Sequence, residues 1–268
     1  MLEYLKRCSA SVVDQKGASY EHIIIDGGSE DGTSEWLAAQ QSTRFVVERD
    51  ESMYDAVNKG LLMAQGNILS YLNCDEQYLP DTLQFVKDFF LRNPDVDILF
   101  GDFLIVRPDG ILLSYRKAFP PRWYYFSSAH LYLFTCTMFV RRRIVDSGFL
   151  FDATYRDVAD EEFVVRVLRH GYKAAHVPKY VAAFTLTGKN RSRTETALEE
   201  RKRMRRTVPL WVKVFKYPLN LARYAEKLVH GAYTQELPLE YALYTGEELR
   251  ERKKFSVPKA TWRWPRAY

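Results

Sequence analysis

Apolar positions recur with a helical period over residues 2–15, where Leu2, Leu5, Val12 and Val13 share one side and charge occupies the other. The pattern then becomes a short unbroken apolar run, Glu21-His-Ile-Ile-Ile-Asp26, closed by Gly27-Gly28-Ser29. Such a run reads as a strand covered on both faces, since a half-exposed strand would alternate. Ser29 or Asp31 is placed to cap the next helix, which carries Trp36 and Leu37. Arg44–Glu48 reads as a second strand, and Tyr54–Gln65 as a helix with Ala56, Leu61 and Ala64 inward and Gly66 as its stop. Asn67–Leu72 is a third strand, Pro80 opens a helix that runs through Phe89 and Phe90, and Asp97–Gly101 begins another strand. This alternation predicts an α/β fold with a mostly parallel sheet and helices on both faces.

The pattern changes after residue 101. Phe103–Val106, Arg-Pro-Asp-Gly110 and Ile111–Leu113 read as a hairpin, Cys136–Val140 as a strand, and Asp160–Arg169 as a helix closed by Gly171. A second change falls near residue 190, giving a catalytic-type domain over 1–190 and a basic helical C-terminal extension over 191–268. Basic residues crowd from Lys189, Arg191 and Arg193 through Arg201–Arg206 to Lys213 and Lys216, with Trp211, Val214, Phe215, Leu219 and Leu221 among them. That mixture reads either as a solvated helical face or as a peripheral contact with anionic lipid. Nucleic acid is not expected, because no recognised binding module accompanies the patch.

Composition narrows the class. The 268 residues are 47% apolar and 27% charged, which excludes wholesale disorder. The net charge of +5 is too small to imply nucleic acid by itself. Three widely spaced cysteines, Cys8, Cys74 and Cys136, make neither a zinc pattern nor a disulfide framework and suit a reduced, cytoplasmic protein. The first residues lack the apolar stretch of a signal peptide. Trp123–Val140 holds no charge but is broken by Ser127, Ser128, His130, Thr135 and Thr137, so it reads as a buried helix and strand rather than a membrane span.

In an open α/β sheet, ligands bind where strands end at their carboxyl side. The first strand ends at Asp26-Gly27-Gly28, and the third at Asn73-Cys74-Asp75-Glu76. Asp75 and Glu76 offer hard oxygen donors for Mg²⁺, or act as favourable acids ahead of a helix. Asp157, Asp160, Glu161 and Glu162 crowd the start of another helix, either as caps or with Asp160 as a proton acceptor.

Taken in order, these stretches resemble family 2 glycosyltransferases of the glycosyltransferase A fold. The matching text is His22–Thr33, Asp50–Gly60, Gly66–Pro80, Cys136–Arg142, Gly148-Phe149, Asp160–Arg166 and Gly171-Tyr172. The resemblance implies an inverting glycosyltransferase that moves a sugar from a nucleotide-sugar donor to a glycan or lipid-linked acceptor, with Asp160 as general base. It implies Mn²⁺ or Mg²⁺ on the diphosphate, held at Asp75 with Glu76, since Asn73 stands where the family's DxD motif has its first acid. It also implies Asp26, Gly28, Asp55, Asn58, Lys59 and Asn73 as nucleotide-sugar-binding positions. Family members begin with a further apolar strand, whereas Leu2–Gln15 here aligns with the helix after it. An inactive homologue that binds nucleotide or membrane is the alternative reading of that difference.

Overall fold

The computed structural model describes residues 1–40, 43–188, 195–246 and 248–265. Helix α1 (Leu2–Val13) leads into β1 (Ile23–Asp26), α2 (Thr33–Ala38), β2 (Arg44–Val47) and α3 (Met53–Met63). Then come β3 (Ile68–Leu69), β4 (Glu76–Tyr78), α4 (Thr82–Arg92), β5 (Ile98–Val106), β6 (Leu112–Arg116) and α5 (Trp123–Ser128). The chain continues through β7 (Met138–Arg141), α6 (Arg142–Asp146), α7 (Ala159–Arg169) and β8 (Ala174–Thr185). It closes with α8 (Glu195–Arg206), α9 (Leu210–Val214), α10 (Lys216–Val229), β9 (Leu239–Leu243) and β10 (Lys253–Val257). Lys189, Arg191 and Arg193 of the basic segment lie outside the described residues.

The α/β expectation holds, but the pairing within it is more mixed than the apolar runs suggested. The main sheet runs β3-β7-β5-β8-β4, with β6 also on β5. Only β5–β8 is parallel there, and its other ladders are antiparallel. Burial on both faces, rather than strand direction, makes a run continuous. All nine residues of β5 are buried. Side chains on one face pack with α7 residues such as Phe163 and Val167, and on the other with α4 residues such as Val86 and Phe90. At Gly101, β5 and β8 come so close that a Cβ would lie 2.6 Å from Val181 Cγ2 and 3.0 Å from Lys179 O. Next to it, buried Asp102 accepts from Ala118 N at 2.9 Å and contacts His176 Nε2 at 2.7 Å.

Strands β1 and β2 form a separate two-stranded parallel sheet, in register from Ile23↔Arg44 to Asp26↔Val47. Between β1 and β3 lies a cavity of about 710 Å³, lined by Ile23, Ile25, Ile68 and Leu72 and roofed by Leu5 and Val12 of α1. Asp26, Ser29, Asn73 and Cys74 stand at one end of it.

The region after residue 191 is not helical throughout. β9 and β10 form an antiparallel hairpin whose Leu239, Tyr241 and Leu243 pack against Leu104, Val106 and Tyr115. The alternation of buried and exposed positions along β9 is that of a strand with one covered face. Helix α8 in turn shares the main core through Ala197 and Met204.

Candidate functional site

The loop after β1 is built around its last residue. Asp26 accepts from Ser29 N at 2.9 Å and from Ser29 Oγ at 2.6 Å, which folds the loop back over the strand end. Gly28 has φ +86°, a conformation that costs glycine little, and open space lies where its Cβ would stand. The backbone is therefore free for close approach by a ligand. Asp31 does not cap α2 by its side chain; it accepts from Leu2 N, the first N–H of α1, at 2.9 Å and from Thr33 Oγ1 at 2.6 Å, tying α1 to this loop.

The segment from Asp50 to Lys59 is a structural knot. Ser52 caps α3 by accepting from Asp55 N at 3.2 Å, and Asp55 reaches back to Glu51 N at 3.3 Å. Lys59 Nζ lies 2.6 Å from Asp50, 2.7 Å from Glu48 and 3.5 Å from Asp55, and the hydrogen bonds it donates to Asp50 and Glu48 raise its pKa. Lys59 is thus neither a free donor contact nor a loosely solvated lysine. Asn58 donates to Phe151 O at 2.8 Å and accepts from Phe151 N at 2.9 Å, so its amide joins α3 to the segment leading to α7. Asp50 Oδ2 is buried without a partner, 3.4 Å from where a Cβ of Gly27 would stand. The sequence reading missed this acceptor, because Asp50 lies in a charge-rich stretch with no periodic signal.

At the end of β3 the chain turns tightly. Asn73 N donates to Glu76 Oε2 at 2.7 Å, Asn73 Nδ2 to Oε1 at 3.2 Å, and Glu76 N returns a bond to Asn73 O at 3.0 Å. Glu76 is fully buried, and burial with the nearby Asp75 charge pushes its pKa up to about 8. Asp75 is half-buried, and its carbonyl accepts from Thr185 N at 2.9 Å. Among the described residues, no group of three or more His, Cys, Asp or Glu side chains could hold a metal ion. One carboxylate is nevertheless what Mg²⁺ commonly takes from a protein when phosphate oxygens and water supply the rest. The donor set at Asp75 fits an ion that arrives with a diphosphate, whereas Glu76 could join it only by releasing Asn73.

Asp160 sits in the first turn of α7, half-buried, and accepts from Glu161 N at 2.8 Å. Burial raises its pKa, against the opposing pull of that amide, of Arg201 and of a hydrogen bond with Tyr54. The Tyr54 and Tyr71 hydroxyls are pushed well above the usual phenol range by burial and then by the Asp160 charge. Phe151 braces both rings, stacked on Tyr54 at 5.5 Å and edge-on to Tyr71 at 5.6 Å. Glu76 feels the charges of both Asp75 and Asp160, so the turn after β3 and the start of α7 share an acidic centre.

Helix α8 holds this centre from behind. Glu200 accepts from the backbone N–H groups of Arg156 at 2.6 Å, Asp157 at 3.0 Å and Val158 at 3.2 Å, the residues entering α7. Arg201 Nε reaches Glu161 at 3.2 Å. In the sequence, Glu200 is one acid beside the basic run Arg201–Arg206. No local pattern reveals a carboxylate that serves backbone more than forty positions away.

Comparison with known proteins follows the same outline. Residues 2–147 match the family described as Glycosyl transferase family 2. A PGL/p-HBAD biosynthesis glycosyltransferase of Mycobacterium tuberculosis is 32% identical over 107 residues, which is 38% of this chain and 42% of that protein. The putative teichuronic acid biosynthesis glycosyltransferase TuaG of Bacillus subtilis is 29% identical over 117 residues, 42% of this chain and 46% of its own. The chain thus spans less than half the length of these curated relatives. Among solved structures, S. aureus TarS superposes with a TM-score of 0.57 at 14% identity over 94% of this chain and 57% of that one. TarS 1–349 in complex with UDP-GlcNAc gives 0.56 at 16% identity, covering 73% of this chain and 57% of that one.

Proposed function

This chain belongs to glycosyl transferase family 2, and from that membership we propose that it moves a sugar from a nucleotide-sugar donor to a hydroxyl of a glycan or lipid-linked acceptor, with inversion. The setting of Asp160 carries the reading: a carboxylate at a helix start, raised in pKa by burial, bonded by Tyr54 and electrostatically close to the Asp75 end of the sheet. A base of this kind works best when its pKa approaches the working pH. Asp160 takes the proton of the acceptor hydroxyl while that oxygen bonds to the anomeric carbon. The bond from that carbon to the diphosphate breaks on the opposite face, so configuration inverts. Asp26 and the open Gly28 backbone meet the nucleotide, and the unpartnered Asp50 Oδ2 accepts from a donor N–H or O–H. Mg²⁺ or Mn²⁺ at Asp75, when bound, neutralises charge on the leaving diphosphate. A UDP-sugar is the first donor class to try, given the UDP-GlcNAc complex of the structural neighbour.

The test is turnover of UDP-sugars with Mn²⁺ or Mg²⁺ and glycan or lipid-linked acceptors, reading nucleoside diphosphate and the anomeric configuration of the product. The expected result is one nucleoside diphosphate per inverted glycoside, lost on chelation, with a fall of about 10²–10⁴-fold in Asp160→Asn. Full turnover in Asp160→Asn, or pyrophosphate as product, overturns the reading.

A further inference from the structure

Helix α10 is amphipathic the wrong way round for a helix that meets only water. Its inward side is polar: Arg223 is buried, and Glu226 pairs with Arg122 Nε at 2.9 Å and accepts from Tyr125 OH at 3.2 Å. Its outward side carries Tyr217, Leu221, Tyr224 and Leu228, each at least 53% exposed. The spacing i, i+4, i+7, i+11 sets these four in one line along the helix. Leu210 and Val214 of α9, 75% and 64% exposed, extend the apolar surface. A monomer in water would present the opposite arrangement, so this face is built for an apolar neighbour.

Charge identifies the neighbour. Residues 195–229 hold nine basic and four acidic side chains, which is the whole +5 excess of the chain. Two of those acids face inward, Glu226 toward Arg122 and Glu200 toward backbone. Lys213 and Lys216 are exposed beside the apolar line, and Lys202, Arg205 and Arg206 are exposed on α8. A second copy docking through a two-fold axis would set this basic surface against itself. A nucleic-acid backbone would leave the leucines and tyrosines uncovered. An anionic bilayer satisfies both halves, taking apolar side chains among the acyl chains and lysines at the headgroups. No helix among the described residues is long and apolar enough to cross a membrane, so the contact is along the surface.

The geometry points to α9 and α10 lying in the interface of a membrane that contains anionic phospholipid. Both helices pack on α5, which packs on α7, the helix of Asp160. Trp123 of α5 meets Trp211 of α9 edge-on at 5.6 Å. Docking holds the catalytic domain on the kind of surface that would carry a lipid-linked acceptor, with α5 between the lipid and α7. That last step rests on the transferase reading; the docking itself does not.

The test is co-sedimentation of the full chain with phosphatidylcholine vesicles, with and without phosphatidylglycerol. Binding is expected to need phosphatidylglycerol and to weaken as salt shortens the Debye length from about 10 Å at ~0.1 M to about 3 Å at ~1 M. The double substitution Leu221→Glu, Tyr224→Glu is expected to lower partitioning by at least about tenfold, with the melting temperature and UDP binding unchanged. Lys213→Gln with Lys216→Gln is expected to lower it by about fivefold for each charge. Asp160→Asn is expected to bind vesicles like the wild type, which separates failure of docking from failure of the transferase reading. Equal binding to both vesicle types, or no response to the Leu221 and Tyr224 changes, overturns the proposal. So does a dimer in light scattering that Leu221→Glu disperses, with no vesicle binding.

Discussion

Asp160 and Glu200 form a working pair although they never touch. The first turn of α7 would favour an ionised Asp160, yet burial raises its pKa above the ordinary aspartate value. The acid limb of kcat should therefore lie above that value, with activity appearing as pH rises through the raised pKa and the carboxylate loses its proton. A pH–rate profile measured at saturating donor checks this. Glu200 fixes the entry to α7 by three backbone N–H groups, and its removal leaves all three without that acceptor, the Val158 N–H in a buried position. Glu200→Ala is expected to lower kcat by about tenfold or more with donor KM little changed, because it acts through the placement of Asp160. Steady-state kinetics of the variant, with Glu200→Gln as the conservative control, reads that split. In the sequence, Asp160 stands out because acids crowd a helix start, a pattern that also suits simple capping. Glu200 was hidden because its partners are distant in the chain. Asn58 and Lys59 are nucleotide-sugar-binding positions by the family resemblance, and the structure commits their polar atoms to Phe151 and to three carboxylates.

At the scale of elements, the contact between β5 and β8 governs how closely the core can close. Gly101 is required there by space, since a methyl group would enter the contact radius of Val181 and of the Lys179 carbonyl. Gly101→Ala should cost about 1–3 kcal/mol, typical of an overpacked core, and chemical denaturation would show it as a lower midpoint with an unchanged slope. The hydrophobic pattern revealed most of these elements. The hairpin across Arg107–Gly110 and the helix and strand within Trp123–Val140 form where the pattern put them. Strand direction was not legible, because an apolar run records how many faces are covered and not which way its neighbours run. The β9–β10 hairpin was missed for another reason. The basic helical stretch before it dominated the reading of the tail, while β9 shows only five residues of weak alternation.

Across the whole molecule, charge and chemistry are separated. The residues proposed to act on the donor lie at strand ends and the start of α7, while the net positive charge belongs to the helices after residue 195. The sequence made the charge visible, but only the fold turns Tyr217, Leu221, Tyr224 and Leu228 outward together. The cavity between β1 and β3 has a consequence for how the molecule comes apart. Asp26 and Gly28 belong to a two-stranded leaf that shares no ladder with the main sheet among the described residues, whereas Asp75 and α7 belong to the main body. Such a leaf can open without the rest unfolding. A nucleotide touching both parts would act as a crosslink, adding about 2.7 kcal/mol to the closed state at a hundred times its Kd. Hydrogen exchange at Ile23–Asp26 should then slow by about a hundredfold on UDP binding, while the amides of β5 keep their own, already slow, clock.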